Sequence, residues 1–272
     1  MSPSGFMKTE DLGTKSGHSR VRGGTTEVFD DFEPEQELPE LSGSLLRALV
    51  DCRDRQIQKA RVAFGNRLAA LLRYGEPSHD QGSKQQVEIV RKYYEMFLGL
   101  ERQLDKDIAA AVRDDPVYPY LQAVKGVGPL MAAKLLAFID FSRAPTVSAL
   151  WRFCGYAAID GKAERPRPGE RLHYCRRLKT TCFLLGTQLL RARSPYARIY
   201  YKAREQYALE RPQWTKAHRH LAAMRKMVKV FLAHLWFVGR TLYGLPTEPP
   251  YIIGRDDHSH EYRPEEFGWP AL

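Results

Sequence analysis

Two long stretches of helical apolar periodicity, separated by a short run of turn-forming residues, constrain this chain more than any other feature. From Ser42 to Arg73 the residues Leu46, Leu49, Ile57, Phe64, Leu68 and Leu71 recur on one helix face. The segment Gly75-Glu-Pro-Ser-His-Asp-Gln-Gly82 then breaks the pattern. A second stretch, Ser83 to Arg113, repeats Val90, Tyr93, Phe97, Leu100, Leu104 and Ala111 in nearly heptad order, with Ile108 one place off. Ser42 or Ser44 is suited to cap the first helix, and Asp114-Asp-Pro116 ends the second. Two such helices on a short polar loop must bury their stripes. The simplest solution is a long antiparallel coiled-coil hairpin, with arms of roughly 45 Å at ~1.5 Å per residue. The pattern leaves open whether the hairpin packs on the rest of the chain or joins two copies.

Charge divides the 272 residues unevenly. Between Val117 and Arg240 there are 23 Lys and Arg against six Asp and Glu, whereas the flanks are net acidic and the whole chain is only +10. Positive charge concentrated in this way is the electrostatic footprint of a phosphate-backbone partner. Residues 1–41 are rich in Gly, Ser, Thr, Asp and Glu, and Glu27 to Glu40 is strongly acidic. Such a composition predicts a disordered acidic tail, either a plain flexible one or an arm that shields the basic region until nucleic acid displaces it. The expected organisation is a tail (1–41), a hairpin (42–116), a basic nucleic-acid-binding domain (117–245) and a C-terminal tail (246–272).

No apolar run approaches the roughly 18 residues of a membrane span, and no signal peptide is visible. Cys52, Cys154, Cys175 and Cys182 form no Cys-x-x-Cys pair. A cytoplasmic protein with reduced thiols is expected.

The basic region is helical by pattern. It holds Tyr120–Val124 and Leu130–Ile139, a short apolar helix from Ala149 to Gly155, and a Gly- and Pro-broken basic loop from Asp160 to Gly169. A helix from Arg171 to Arg193 follows, then one opened by Pro195, and a last one from Trp214 to Tyr243 stopped by Gly244 and Pro246. Strand alternation is almost absent, so the fold class is all-α.

Gly126-Val-Gly128 between two apolar segments resembles a helix-hairpin-helix. Its glycines allow a tight turn against a phosphate, with Lys125 and Lys134 adding charge; a plain glycine turn between core helices is the alternative. The run from Lys162 to Lys179 supplies Arg165, Arg167, Arg171, His173, Arg176 and Arg177, suited to phosphate contact or base stacking, or else a solvated loop. Reversal of Arg176 and Arg177 to Glu is expected to abolish nucleic-acid retention without unfolding. Arg191, Arg193, Arg198 and Lys202 continue the series beside Tyr196, Tyr200, Tyr201 and Tyr207. Lys216, Arg219, Arg225, Lys226 and Lys229 lie on the last helix, opposite Leu221, Met224, Val228 and Leu232.

Neither His218 with His220 nor Asp256, Asp257, His258 and His260 has a recognised metal-ligand spacing, so no metal or cofactor is expected. No carboxylate set for two Mg²⁺, P-loop or nucleophile elbow is present. A non-enzymatic role is expected.

The stretch from Tyr120 to Leu245 resembles the C-terminal domain of the bridge-RNA-guided insertion-sequence recombinases. The resemblance is carried by Val124-Lys-Gly-Val-Gly-Pro-Leu-Met-Ala-Ala-Lys-Leu-Leu-Ala-Phe-Ile-Asp140 and Leu150-Trp-Arg-Phe-Cys-Gly-Tyr-Ala-Ala158. Arg176-Arg-Leu-Lys179, Pro195-Tyr-Ala-Arg-Ile-Tyr-Tyr201 and a final long helix follow in the same order. The RuvC-like domain of those recombinases has no counterpart here, and no serine lies between Gly155 and Gly169, so their activity is not carried over. A helical hairpin followed directly by this domain is similar to the Nop proteins of box C/D ribonucleoproteins and to the related stand-alone, nuclease-less Tas proteins encoded beside tandem guide RNAs. The resemblance implies a prokaryotic or phage-encoded homodimer, joined through the hairpin, that holds a guide RNA, pairs it with target DNA and can work with a separate nuclease. Two other readings remain: a transposase-derived, sequence-independent DNA binder, and a recombinase or nuclease with an unrecognised metal site involving Asp256 or Asp257.

Overall fold

The computed structural model describes residues 43–74, 81–159, 162–164, 169, 172–247 and 262–272. The expected tail 1–41, the Ser42 cap and loop residues 75–80 lie outside them. Helix α1 (Gly43–Asp51) passes through a π-helical turn (Cys52–Ile57) into α2 (Gln58–Tyr74), and α3 (Gln81–Ala111) returns. Gly82, expected in the loop, is therefore helical. A 3₁₀ turn (Val112–Asp114) leads to α4 (Tyr118–Ala123), α5 (Pro129–Leu136) and α6 (Val147–Phe153). Then come α7 (Arg176–Arg191), α8 (Ala197–Glu210), α9 (Lys216–Leu242) and a 3₁₀ turn (Pro264–Phe267). The protein is mostly helical. One small departure is an antiparallel ladder of β1 (Ala158–Ile159) with β2 (Lys162–Ala163), pairing Ala158 with Ala163 and Ile159 with Lys162. No helix among the described residues is long and apolar enough to cross a membrane.

The π-turn and α2 run antiparallel to α3, because rising numbers on one side meet falling numbers on the other: Arg53 with Asp105, Arg61 with Glu101, Phe64 with Phe97. The face of α3 turned inward is Val90, Tyr94, Phe97, Glu101, Leu104 and Ile108, alternating by four and three. The expected stripe needs correction. Tyr93 and Leu100 are 42% and 44% exposed, Glu101 is 5% exposed, and Ile108 is fully buried and in register. The cause is electrostatic. Arg53 of the π-turn and Arg61 of α2 both face Glu101, so a carboxylate fills the place that an apolar count gives to Leu100.

A single hydrophobic cluster runs from Leu46 and Val50 through Ile108 and α5 to Trp269. Helix α9 is its axis. From Val230 to Trp236 every residue is buried, as a helix surrounded by others requires. Helices α6, α7 and α8 pack on it, while α5 packs on α1, α3, α4 and α7. Helices α7 and α9 cross closely at Gly186, where a Cβ would come within 2.9 Å of Val228 Cγ2. Trp236 donates its indole N–H to Ala144 O at 2.7 Å. Arg240, also buried, donates to the carbonyls of Phe141, Ala144 and Pro246.

Residues 262–272, expected as part of a tail, are built into the core: Phe267 and Trp269 are buried. Trp269 Nε1 donates to the Tyr196 hydroxyl at 2.6 Å, and that hydroxyl donates to His234 Nδ1 at 2.6 Å. His234 Nε2 donates to Tyr262 O at 2.9 Å. Each side-chain polar atom of this relay has a partner, which is what makes its burial tolerable. The relay requires neutral His234, and burial pushes its pKa down to about 4, against the opposing bond to Tyr262 O and the charge of Glu266.

Two outcomes follow. Glu101→Gln leaves Arg53 and Arg61 short of a buried counter-charge and should cost about 3 kcal/mol in urea unfolding, whereas the exposed neighbour change Arg102→Gln should stay within ~0.5 kcal/mol. For His234, the folded-state pKa lies below the unfolded value of about 6.5, so the unfolded chain binds the extra proton. Its contribution is complete above that value and is lost as pH falls toward 4, by up to about 3 kcal/mol. Unfolding between pH 7.5 and 4.5 should show this slope, and His234→Asn should flatten it.

Candidate nucleic-acid interface

Helices α4 and α5 join through a tight turn closed by Val127 N–H donating to Val124 O at 3.0 Å. Its third residue, Gly126, has φ of 101°, a conformation that glycine alone adopts without strain. A Cβ there would also lie 3.0 Å from Ala192 Cβ and 3.3 Å from Gln188 O, so Gly126 is seated on the end of α7. Gly128 is different. It is exposed, an added Cβ would meet nothing within 4 Å, and it opens α5 without a side-chain cap. Gly128 therefore offers the first-turn amides of α5 no side-chain acceptor, and exposed Lys125 stands three residues before it on the turn.

Gly126 brings the last turn of α7 to the same place. There the chain closes a Schellman motif: Arg193 N–H donates to Leu190 O and Ser194 N–H to Leu189 O, both at 3.0 Å. The left-handed residue of such a motif is usually glycine. Here it is Arg193, at φ of 50° and exposed, with exposed Arg191 two residues earlier. The strained backbone is tolerated at a position that presents a guanidinium beside the turn.

Several expected contact residues are engaged within the protein. Lys134 pairs with Asp54 at 2.7 Å. Arg177 pairs with Asp51 and lies 4.4 Å from the centre of the Phe138 ring. Its reversal to Glu would set two carboxylates against each other, so the expected Arg176/Arg177 double reversal would perturb the fold as well as binding. Arg176 alone of the two is exposed. Arg198 bonds Glu266 at 2.9 Å and covers Phe267. His173 bonds Glu164 at 3.0 Å through Nδ1, and Lys179 lies 4.2 Å over Tyr174. The hydrogen bond from the His173 amide, with its side chain, holds the Glu164 carboxyl below its usual pKa. Arg165, Arg167, Arg171 and the side chain of Lys162 lie outside the described residues. Lys125, Arg176, Arg191, Arg193, Lys202, Lys216, Arg219 and Lys226 have no ion pair among the described residues.

Arg225 and Lys229 lie one turn apart on α9, both half-buried. Arg225 Nη2 donates to Tyr156 O and Ala157 O at 2.7 Å. Lys229 Nζ lies 3.8 Å from the centre of the Trp151 ring, whose N–H donates to Lys229 O at 3.0 Å. Burial, and after it the neighbouring Arg225 charge, lowers the Lys229 pKa; burial likewise lowers that of Arg225. Neither cation has a carboxylate partner among the described residues. An anion placed here would relieve both.

The two histidines considered as metal ligands are used otherwise. His218 stacks on Trp214 at 4.0 Å and 9°, and His220 Nδ1 bonds the Tyr200 hydroxyl at 2.7 Å. Asp256, Asp257, His258 and His260 lie outside the described residues. The sequence reading left Arg143, Arg152, Arg204 and Arg211 out of the contact set, yet all four are exposed. Charge alone would have included them.

No protein-family model, curated protein or solved structure matches this chain.

Arg193→Gly relieves the left-handed strain and should stabilise the protein by about 0.5–1 kcal/mol. The same change should weaken nucleic-acid binding and lower the slope of log K against log salt by about 0.7–0.9. Thermal unfolding and a salt titration check the two halves separately.

Proposed function

We propose that this protein is a non-enzymatic guide-RNA-binding protein, working in a ribonucleoprotein that directs RNA-guided recognition of DNA in a prokaryotic cytoplasm. The observation that carries this reading is the uncompensated positive charge. Cations with no ion pair among the described residues lie on the α4–α5 turn and on α7, α8 and α9, together with the half-buried Arg225–Lys229 pair. Contacts of this kind bind phosphate and shape without reading sequence, which base pairing with the guide then supplies. The order of motifs resembling the bridge-RNA-guided recombinases favours RNA as the first ligand. Cleavage, where it occurs, would fall to a separate nuclease.

Self-association through the hairpin as a coiled-coil homodimer belongs to the same reading. Beside the inward face of α3 lies a second apolar strip, Ile89, Tyr93, Met96 and Leu100, spaced by four, three and four and 42% to 49% exposed. A strip of that period suits a helix of a second copy.

One observation favours a second reading. The uncapped α5 start at Gly128, beside Lys125, suits a backbone phosphate of duplex DNA, as a sequence-independent DNA binder would require.

Co-expression with the neighbouring genomic DNA, purification through high salt, and sequencing of the retained nucleic acid separates the two. The expected result is a discrete RNA of one size class, with repeated flanks and variable guides, at two protein copies per particle. Heterogeneous DNA, or none, would favour the DNA binder and count against the RNA-guided reading.

A further inference from the structure

Helices α8 and α9 enclose a groove of about 330 Å³, lined by Tyr201, Arg204, Glu205 and Ala208 from α8 and by Lys216 and Arg219 from α9. That volume is at the lower end of the range for small-ligand sites. We propose that this groove receives the end of a nucleic-acid single strand, with the terminal base against Tyr201 and its phosphomonoester on Arg204, Lys216 and Arg219. The inference rests on the nucleic-acid reading above and deepens it by naming a strand end as the ligand.

The lining is laid out by helix geometry. Residues 201, 204, 205 and 208 share one face of α8, opposite the face buried through Ile199, Tyr200 and Ala203. Thr215 caps α9 by accepting from His218 N–H at 3.1 Å, which fixes the helix start that carries Lys216 and Arg219.

Tyr201 is 55% exposed, an unusual state for an aromatic ring on an ordered helix. Its ring is nevertheless held. It stands edge-on to Tyr200 at 5.2 Å and 72°, and the Tyr200 hydroxyl is bonded to His220 Nδ1 at 2.7 Å. Trp214, on the loop between the two helices, already has one face covered by His218. Tyr201 is thus the lining aromatic that is free to take a base, and every base has a face to offer it.

Charge decides which phosphate fits. Arg204, Lys216 and Arg219 have no ion pair among the described residues, and Glu205 is the one carboxylate of the lining, leaving the groove at about +2. An internal phosphodiester carries a single negative charge, whereas a terminal phosphomonoester carries about −1.5 to −2 and three acceptor oxygens. The second matches the groove in both charge and donor number. Glu205 remains to accept a ribose hydroxyl or a base amino group. Lys202, next to Tyr201, and Lys226, two turns beyond Arg219 on α9, continue the cationic path that a strand would follow away from its end.

The test compares single-stranded RNAs of about 12 nucleotides carrying a 5′-phosphate, a 3′-phosphate or hydroxyls at both ends, by fluorescence anisotropy with the full chain at ~0.15 M salt. One phosphorylated strand is expected to bind about tenfold tighter than the hydroxyl strand, and which one it is assigns the polarity. Tyr201→Leu, and Arg204→Gln with Lys216→Gln, should each bring that ratio close to one with helicity unchanged. Equal affinity for the three strands would overturn the end receptor while leaving RNA binding in place. Failure to bind any strand would remove both readings.

Discussion

Arg53 ties the two arms of the hairpin together at the root, beside the carboxylates that join the hairpin to the rest of the protein. Only 7% exposed, it reaches Glu101 at 2.8 Å, Asp105 at 2.8 Å and Asp54 at 2.9 Å. Asp54 passes the connection to Lys134 on α5, and Asp51, one turn earlier, passes another to Arg177 on α7. The π-turn and four α-helices, α1, α3, α5 and α7, are thereby tied at one junction. Burial works against the Arg53 charge, yet its hydrogen bonds to Asp105 and Asp54 keep its pKa above the usual value. A buried guanidinium stripped of these carboxylates would be far costlier than the pairs are worth. The π-helical turn belongs to the same arrangement. Its wider winding shifts the inward face between α1 and α2 and puts consecutive residues, Arg53 and Asp54, to work on α3 and α5 respectively.

The junction also sorts the positive charge of the chain. Cations that meet the acidic root of the hairpin become structural, as Lys134 and Arg177 do. Arg176 and Arg191 of α7, Lys202 and Arg204 of α8, and Lys216, Arg219 and Lys226 of α9 have no ion pair among the described residues, whereas Arg198 is held by Glu266 and Arg240 by backbone carbonyls. The concentration of Lys and Arg after Val117 is therefore two populations, one that assembles the fold and one left over. The leftover population carries internal costs: a non-glycine residue at positive φ at Arg193, and like charges pressed together at Arg225 and Lys229. Stability alone would not select either arrangement. On the proposed function, an anionic partner would offset both.

Periodicity made the helices legible. The hairpin, the α4–α5 turn and the long α9 lie within a few residues of the sequence expectation, because spacing and punctuation by Gly and Pro report directly on local backbone. What stayed hidden depends on neighbours. Tyr93 and Leu100 are as apolar as residues of the true seam, and nothing local says that Glu101 will be matched by two arginines from another helix. Arg176 and Arg177 look alike in sequence, and only the approach of Asp51 separates them. Phe267 and Trp269 sit in a short polar tail, where they gave no periodic signal; their partners Tyr196 and Phe231 are distant in the chain. One miss was avoidable, since Asp160-Gly161 between the paired residues Ile159 and Lys162 is a two-residue hairpin signal.

On the proposed reading, helix α8 keeps binding separate from folding. One face, with Ile199, Tyr200 and Ala203, is locked into the core, and Tyr196 at its start anchors the C-terminal segment through Trp269. The other face bears Tyr201, Lys202, Arg204 and Glu205, all exposed. Neighbouring positions in the chain thus belong to opposite tasks, Tyr200 holding the helix and Tyr201 left to solvent. Because the core side fixes rotation and height of the helix, the outer side inherits a defined geometry without burying anything itself. A surface ring and its cations are then pre-positioned on a rigid element, which spares a ligand the entropy of ordering them.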